Sequence, residues 1–547
     1  MKRKLVLVAV SLTILTLVVS VAGCGGGNKQ SAAGGGKPKV GGTWVQAIPQ
    51  EPRTLDPAKY QMAVEDTIAN YIGAALVAYA PDGKMVPWLA KDYQVSPDGK
   101  TLTFHLKDNI KFHSGKKLTA GDYKATFERD LDPKTGSPVA RDMLAGVTSI
   151  EAPDDLTLIL KLDKPNYALL MNLGSAGYLQ PVDPTELAKW GDQYGQHPSS
   201  VGPYKLKEIK AGEYVTLERN PDYNWAPPFV HQGPWYIQEI KFKVMPENAT
   251  QVAAFQSGEL SMLAVPPQDW SKYADNPNYQ FFQTLSGSVS YLQYNFDNPL
   301  LKDLKMRQAI NYALNKKALI DGVWEGHGQV GYSPIHPGLP GYLKESEQPP
   351  LALTYQPDKA KQLLDELGWK DTNNDGIREK NGKPLKFRLY VFAAGTSPMM
   401  GEAIQAQLKE VGIATTITSY EVNTAYEYYR KGDYDLGLAG WGWYGGDAAD
   451  IMNMTMNSSQ IGTGLNGSRY RNKAMDDLLT KARQTMDEAE HIRLLGEAQK
   501  LAMQDAVYCT IGYPVSGLAV QKKYKGIKLH PMMPTFIMDD CWVEEGK

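Results

Sequence analysis

Ser96-Pro97-Asp98-Gly99-Lys100-Thr101-Leu102-Thr103-Phe104-His105-Leu106 is a turn followed by a strand, and it sets the character of the first half of the chain. Leu102, Phe104 and Leu106 alternate with Thr101, Thr103 and His105, the period-two pattern of a strand with one buried face. The Ser-Pro-Asp-Gly run before it is turn chemistry. Working outward, Val40 to Ala47, Leu156 to Leu162 and Tyr214 to Leu217 have strand composition, and Thr67 to Val77 reads as a helix with one apolar face. This half is mixed and rich in strands.

Further along, helices alternate with strands. Met306, Ala309, Ile310, Ala313, Leu314 and Leu319 fall on one helical stripe. Helices are expected from Asp358 to Leu367, stopped by Gly368, and from Glu402 to Val411, stopped by Gly412. Leu385 to Phe392 lies between them as a strand, an order that suits an α/β domain. Asp476 to Arg483 and Glu488 to Gln504 add helix before a strand region from Tyr508 to Val520.

The start of the chain is targeting sequence. Lys2, Arg3 and Lys4 precede an apolar run from Leu5 to Val19, which is too short for a comfortable membrane span and ends in small residues before Cys24. Residues 1–23 are therefore read as a signal peptide. A Gly-, Ser- and Ala-rich stretch over 24–39 cannot bury enough apolar area to offset chain entropy, so it is expected to be a flexible tether. The remaining roughly 500 residues allow two to four domains. A net charge of -2, with both signs interspersed, excludes an electrostatic footprint for nucleic acid. After Cys24 only Cys509 and Cys541 remain, and the sequence permits either a disulfide or two buried thiols.

Catalytic constellations are missing. There is no His-Glu-x-x-His helix and no Gly-x-Ser-x-Gly elbow, and Gly36-Lys37 is followed by Pro38 where a phosphate loop needs Ser or Thr. No enzyme and no cofactor are expected. Asp371, Asn373, Asp375 and Gly376 match the opening of a calcium loop, with oxygens available at Ile377 and Glu379, but its twelfth position is Gly382 rather than Glu. The alternative is a hairpin whose Asp and Asn side chains cap their own turns.

Gly440-Trp441-Gly442-Trp443-Tyr444-Gly445-Gly446-Asp447 follows an apolar strand and is glycine-rich enough to let a ligand approach the backbone. Trp441 and Trp443 stand at alternate positions, so one should be core and the other should line a cleft.

Several ordered motifs now point to one family. They are Glu51-Pro52-x-x-Leu55-Asp56-Pro57, the Ser96 to Leu106 stretch, Lys111-Phe112-His113-Ser114-Gly115, Leu118-Thr119-Ala120-x-Asp122, Val201-Gly202-Pro203-Tyr204, Leu217-Glu218-Arg219-Asn220-Pro221-x-Tyr223 and Arg307-Gln308-Ala309-Ile310-Asn311-Tyr312-Ala313-Leu314. The chain resembles the extracellular solute-binding proteins, family 5, that serve peptide, dipeptide and nickel ABC importers. Val21-Ala22-Gly23-Cys24 also resembles a bacterial lipobox, which implies lipidation of Cys24 and anchoring outside the cytoplasmic membrane, at the cell surface or in a periplasm.

The resemblance implies an α/β, two-lobed clamshell of the periplasmic-binding-protein type (type II, cluster C) with an extra inserted α+β domain. Lobe I should comprise 40–76, 179–288 and 511–547, the extra domain 77–178 and lobe II 289–510, with a hinge near Ser288 and Thr510. A monomer working with an ABC permease and ATPase subunits is implied, capturing a short peptide; oligosaccharides or metal chelates are the alternative ligands. Segment 130–138 looks like the oligopeptide-binding branch. Against that, Tyr444 stands where the branch commonly carries an Asp for the peptide's amino terminus, and Leu438 where some relatives carry a cation. Glu51, Tyr294, Asn295, Trp441, Trp443, Tyr444 and Asp447 are the expected cleft residues. Glu51 and Asp447 would answer positive groups, Asn295 the ligand backbone, and the aromatics would form apolar walls.

Overall fold

The computed structural model describes residues 37–547 except Asp82, 443–446, Thr463, 531–535 and 545–547. The signal peptide, Cys24 and most of the tether lie outside the described residues, as do Trp443 and Tyr444. Among the described residues no helix is long and apolar enough to cross a membrane.

Three sheets carry the fold. In the first, Gly41–Ile48 runs parallel to Ile237–Val244, which pairs antiparallel with Tyr214–Arg219, and Tyr204–Lys210 closes the edge. Trp44, Leu217, Ile240 and Phe242 face a core shared with Ile68 and Ile72 of the helix Ala63–Ile72. That helix begins and ends earlier than the expected Thr67 to Val77. Gly73 ends it by turning to extended backbone (φ −99°, ψ 174°) at a spot where a Cβ would lie 2.1 Å from the Ala176 carbonyl, and Val77–Tyr79 is a short strand instead.

The second sheet is antiparallel, in the order Ala90–Val95, Thr101–Leu106, Thr157–Leu162, Val147–Glu151. Leu102, Phe104 and Leu106 point together into a core with Leu158 and Leu160, against Tyr123 and Phe127 of the helix Ala120–Leu131. Thr119 caps that helix: its hydroxyl accepts from the Asp122 N–H while the Asp122 carboxylate accepts from the Thr119 N–H, so two orphan donors are satisfied at once. The Asp56 carboxylate ties this unit to the first through Arg129, with contacts of 2.9 and 2.5 Å.

The third sheet has eight strands. Lys386–Phe392 is parallel to both Ala414–Tyr420 and Leu436–Gly442, and the helices Ser397–Glu410 and Val422–Lys431 make the connections. Leu389, Val391, Ile404, Leu408 and Leu436 fill the core beneath.

One long strand, Tyr508–Gln521, joins the lobes. Its first part pairs with Ser288–Tyr294 and its last part with Tyr279–Leu285. The pairing segment breaks between those two strands at Ser286 and Gly287, where Gly287 has φ 69° and the Ser286 N–H reaches the Pro514 carbonyl at 2.8 Å. Pro514 lacks the N–H that would continue the ladder. Thr510 lies inside the ladder opposite Tyr291, a little before Pro514 on the same continuous strand, and Ser288 directly follows Gly287. Beyond it, Val520, Tyr524, Met538 and Cys541 return to the core of the first sheet, whereas Cys509 lies in the core under the third. Both cysteines are free and buried.

Candidate functional site

A cavity of about 440 Å³ opens at the C-terminal end of the strand Leu436–Gly442, next to the crossing. That volume lies within the usual range of small-ligand pockets. Leu438 through Gly442 form one wall, together with Ser288, Val289 and Ser290 of the neighbouring strand. Phe392, Thr396, Ser397 and Met400 supply a second wall from the turn into Ser397–Glu410. Trp324 and His327 form a third, and Pro267, Pro514 and Val515 close the side toward the crossing. The His327 ring stacks on Trp270 with centroids 3.7 Å apart.

Glycine at 440 is required by this geometry. A Cβ there would lie 2.6 Å from the Val289 carbonyl, so any side chain would force the two strands of the wall apart. Trp441 is partly buried, lines the cavity and stacks on Tyr426 at 5.3 Å. The Tyr426 hydroxyl donates to the Gly440 carbonyl at 3.2 Å, which fixes the aromatic pair against the strand end.

Of the expected cleft residues, Trp441 alone lines this cavity among those described. Tyr294 is fully buried in the core under the third sheet, where its hydroxyl accepts from Asn311 Nδ2 at 2.9 Å. Asn295 closes the end of its strand: Nδ2 donates to the Gly432 and Tyr434 carbonyls, and Oδ1 accepts from the Asp297 N–H, which leaves its amide satisfied. Glu51 is exposed and accepts from the Gly212 N–H, in the turn of the hairpin formed by Tyr204–Lys210 and Tyr214–Arg219. None of the three meets the cavity wall.

Asp447 is also placed differently from expectation. It caps the helix Ala448–Met456 through the Ala449 N–H, and the same Oδ1 lies 2.8 Å from His491 Nε2. Asp447 and His491 are both almost fully buried. The Asp447 charge is thus answered by the protein itself. Burial alone would lower the His491 pKa, but the hydrogen bond and charge of Asp447 outweigh it and hold the imidazole above its ordinary 6.5.

In the calcium-like loop, Asp371, Asp375 and Glu379 bring ligand atoms within 4.8 Å of one another at the surface. Asn373 lies beside them. Its Oδ1 accepts from the Asp375 N–H and its Nδ2 donates to the Asp375 carboxylate, while Asp371 accepts from Gly376, so the loop caps its own turns.

Trp324 and His327 escape a reading of the sequence, because they meet Trp441 only through strand pairing across more than a hundred residues. The one local sign is Trp324-Glu325-Gly326-His327-Gly328, an aromatic, glycine-punctuated turn in which Glu325 has φ 53° and Gly326 φ 80°.

Two α/β lobes joined by paired crossing strands, with an apolar cavity beside the crossing, define a solute-binding clamshell. Comparison with known proteins agrees. The model of the bacterial extracellular solute-binding proteins, family 5, matches residues 84–463, and the chain belongs to that family. It is 27% identical to the oligopeptide-binding protein AppA of Bacillus subtilis over 99% of this chain and 100% of AppA. A structure of AppA with a nonapeptide superimposes with a TM-score of 0.73 at 26% identity, covering 93% of this chain and all of that one. A putative ABC transporter peptide-binding protein of Brucella ovis is 31% identical over 72% of each chain, and the nickel-binding periplasmic protein of Escherichia coli is 29% identical over 82% of this chain and 85% of its own. The chain is a transport component and not an enzyme.

Proposed function

We propose that this chain is the lipid-anchored, monomeric substrate-binding component of an ABC importer that captures short peptides outside the cytoplasmic membrane and delivers them to its permease. The observation that carries the reading is the cavity at the end of Leu436–Gly442, placed beside the two crossing strands so that a bound solute can bias lobe closure. The AppA and Brucella relatives support peptide as the solute. Lobe I then comprises 40–76, 179–288 and the C-terminal return, 77–178 is the inserted domain, and 289–510 is the main part of lobe II. Cys24 carries the lipid, and two or more acyl chains anchor far better than one.

The test is a thermal-shift screen of the detergent-solubilised protein against mixed tri- to pentapeptides, cello- and xylo-oligosaccharides and nickel chelates. A specific ligand at 100 times its Kd adds about 2.7 kcal/mol of stability. Stabilisation by peptides alone is expected; stabilisation only by sugars or chelates would overturn the peptide assignment. Labelling with radioactive palmitate, lost in Cys24→Ala, checks the anchor.

A further inference from the structure

The cavity wall carries no carboxylate and no lysine or arginine among the described residues; its single titratable side chain is His327. The four residues between Gly442 and Asp447 are Trp, Tyr, Gly and Gly, so that stretch of sequence adds no carboxylate or cation. Of the acids close along the chain to wall residues, Glu325 is exposed beside Trp324 and is not among the lining residues, Asp269 pairs with Lys272 at 2.6 Å, and Asp447 is buried against His491 and a helix N-terminus. What the wall does offer is Trp441, Trp324, Phe392, Met400, Leu438, Val289 and Val515, with hydroxyls at Ser288, Ser290, Thr396 and Ser397.

These two facts decide between ligand chemistries. Burying an ionised carboxylate or ammonium without a partner costs several kcal/mol per ion. Apolar surface gains about 25 cal/mol per Å² buried, and an amide finds donors and acceptors in the hydroxyls and strand-end backbone. The first turn of Ser397–Glu410 presents roughly half a positive charge, enough to orient a carbonyl oxygen but not to replace the solvation of a full anion. From the cavity wall we infer that the site receives an uncharged, apolar group of its ligand and makes no ion pair with the ligand's termini. This rests on the peptide reading above and narrows it: the site selects for an aromatic or aliphatic peptide side chain with its neutral backbone, so peptides with blocked ends are substrates as good as free ones.

Two calorimetric titrations of the solubilised protein test this. The first compares the pentapeptide Ala-Val-Phe-Leu-Ala as the free zwitterion and in N-acetylated, C-amidated form. The second compares indole with indole-3-acetate and tryptamine, which share a ring but differ in charge. The blocked peptide should bind within about threefold of the free one, and indole at least tenfold more tightly than either charged analogue; charge discrimination of that size is about 1.4 kcal/mol. In Ser290→Asp, which places a carboxylate on the wall without removing a core side chain, the preference should turn to tryptamine.

A free peptide binding tenfold more tightly than the blocked one, or indole-3-acetate matching indole, overturns the inference and leaves the peptide reading standing. Silence from both peptides with indole still preferred, and inverted by Ser290→Asp, overturns the peptide reading while the uncharged site stands. Silence from every probe overturns both.

Discussion

His491 faces an acceptor at each ring nitrogen: Nδ1 lies 2.8 Å from the Ala482 carbonyl and Nε2 2.8 Å from Asp447. Two acceptors call for two protons, so the ring is an imidazolium, and it stacks on Tyr167 with centroids 3.9 Å apart. Asp450, paired with Arg483 at 2.7 Å, adds negative charge nearby. Because the folded pKa is raised, the pair's stabilisation is complete below 6.5 and is lost as pH rises through the folded value. His491→Gln should therefore cost about 3 kcal/mol at pH 6, the scale of breaking a buried pair. The gap to the wild type, read from denaturant midpoints, should narrow as pH rises above 6.5 and through the raised folded value. Asp130 behaves in the same direction. Burial raises its carboxyl to about 8, and neither oxygen has a hydrogen-bond partner. It is neutral in the folded protein at pH 7, so stability falls as pH rises from the ordinary 3.8 to about 8 and levels off beyond that. Asp130→Asn should stabilise by about 1–3 kcal/mol at pH 9, since no charge is then forced into the core, and change nothing at pH 4. Equal effects at both pH values would show that ionisation is not the cause. Neither role was legible in the sequence, where Asp447 reads as a ligand anchor; its partner stands 44 positions away.

Among elements, the strand Leu436–Gly442 and the helix Glu488–Gln504 show opposite uses of glycine. Gly440→Ala should push against the Val289 carbonyl and cost about 1–3 kcal/mol, as overpacking does, with weaker ligand binding because the wall itself shifts. Gly496 sits inside its helix with open space where a Cβ would go, so Gly496→Ala should add up to about 1 kcal/mol from helix propensity. Thermal unfolding of the two variants side by side separates packing from propensity. Motif readings succeed at this scale and mislead at the next. Arg307 lies in a motif that reads as a helix, and a helix forms over Leu304–Ala313. Yet its guanidinium holds the Leu301, Lys302, Asp505 and Ala506 carbonyls, so it fastens loops. His113 likewise joins two distant motifs through the Gly202 carbonyl and the Ser200 N–H, and burial lowers its pKa to about 4.

For the molecule as a whole, the strand Tyr508–Gln521 changes partner near Pro514, from Ser288–Tyr294 to Tyr279–Leu285, with Gly328–Val330 paired alongside. Saturating peptide should reduce the radius of gyration measured by solution scattering. An unchanged value with bound peptide would sink closure as the signal to the permease. The inserted unit is held to its neighbour by Arg129 and Asp56, and Arg129→Met should loosen it; protection from hydrogen exchange should fall over Ala90–Val95 and Thr101–Leu106.

Local chemistry determined much of this protein. The alternation of Leu102, Phe104 and Leu106 sets a strand face whatever surrounds it, Asp487 starts the helix Glu488–Gln504 by capping it through the Glu490 N–H, and the ordered motifs place the chain in its family. Tertiary structure decided the site. Tyr294 ends a strand, and Asn295 stands just past it; the strand's alternation does not reveal that helices cover one face and that the Gly432 and Tyr434 carbonyls saturate its end. Trp324, Met400 and Ser290 converge on Trp441 only because strands distant in sequence pair side by side. A cavity is a property of surfaces brought together, and that meeting depends on packing rather than on any local pattern.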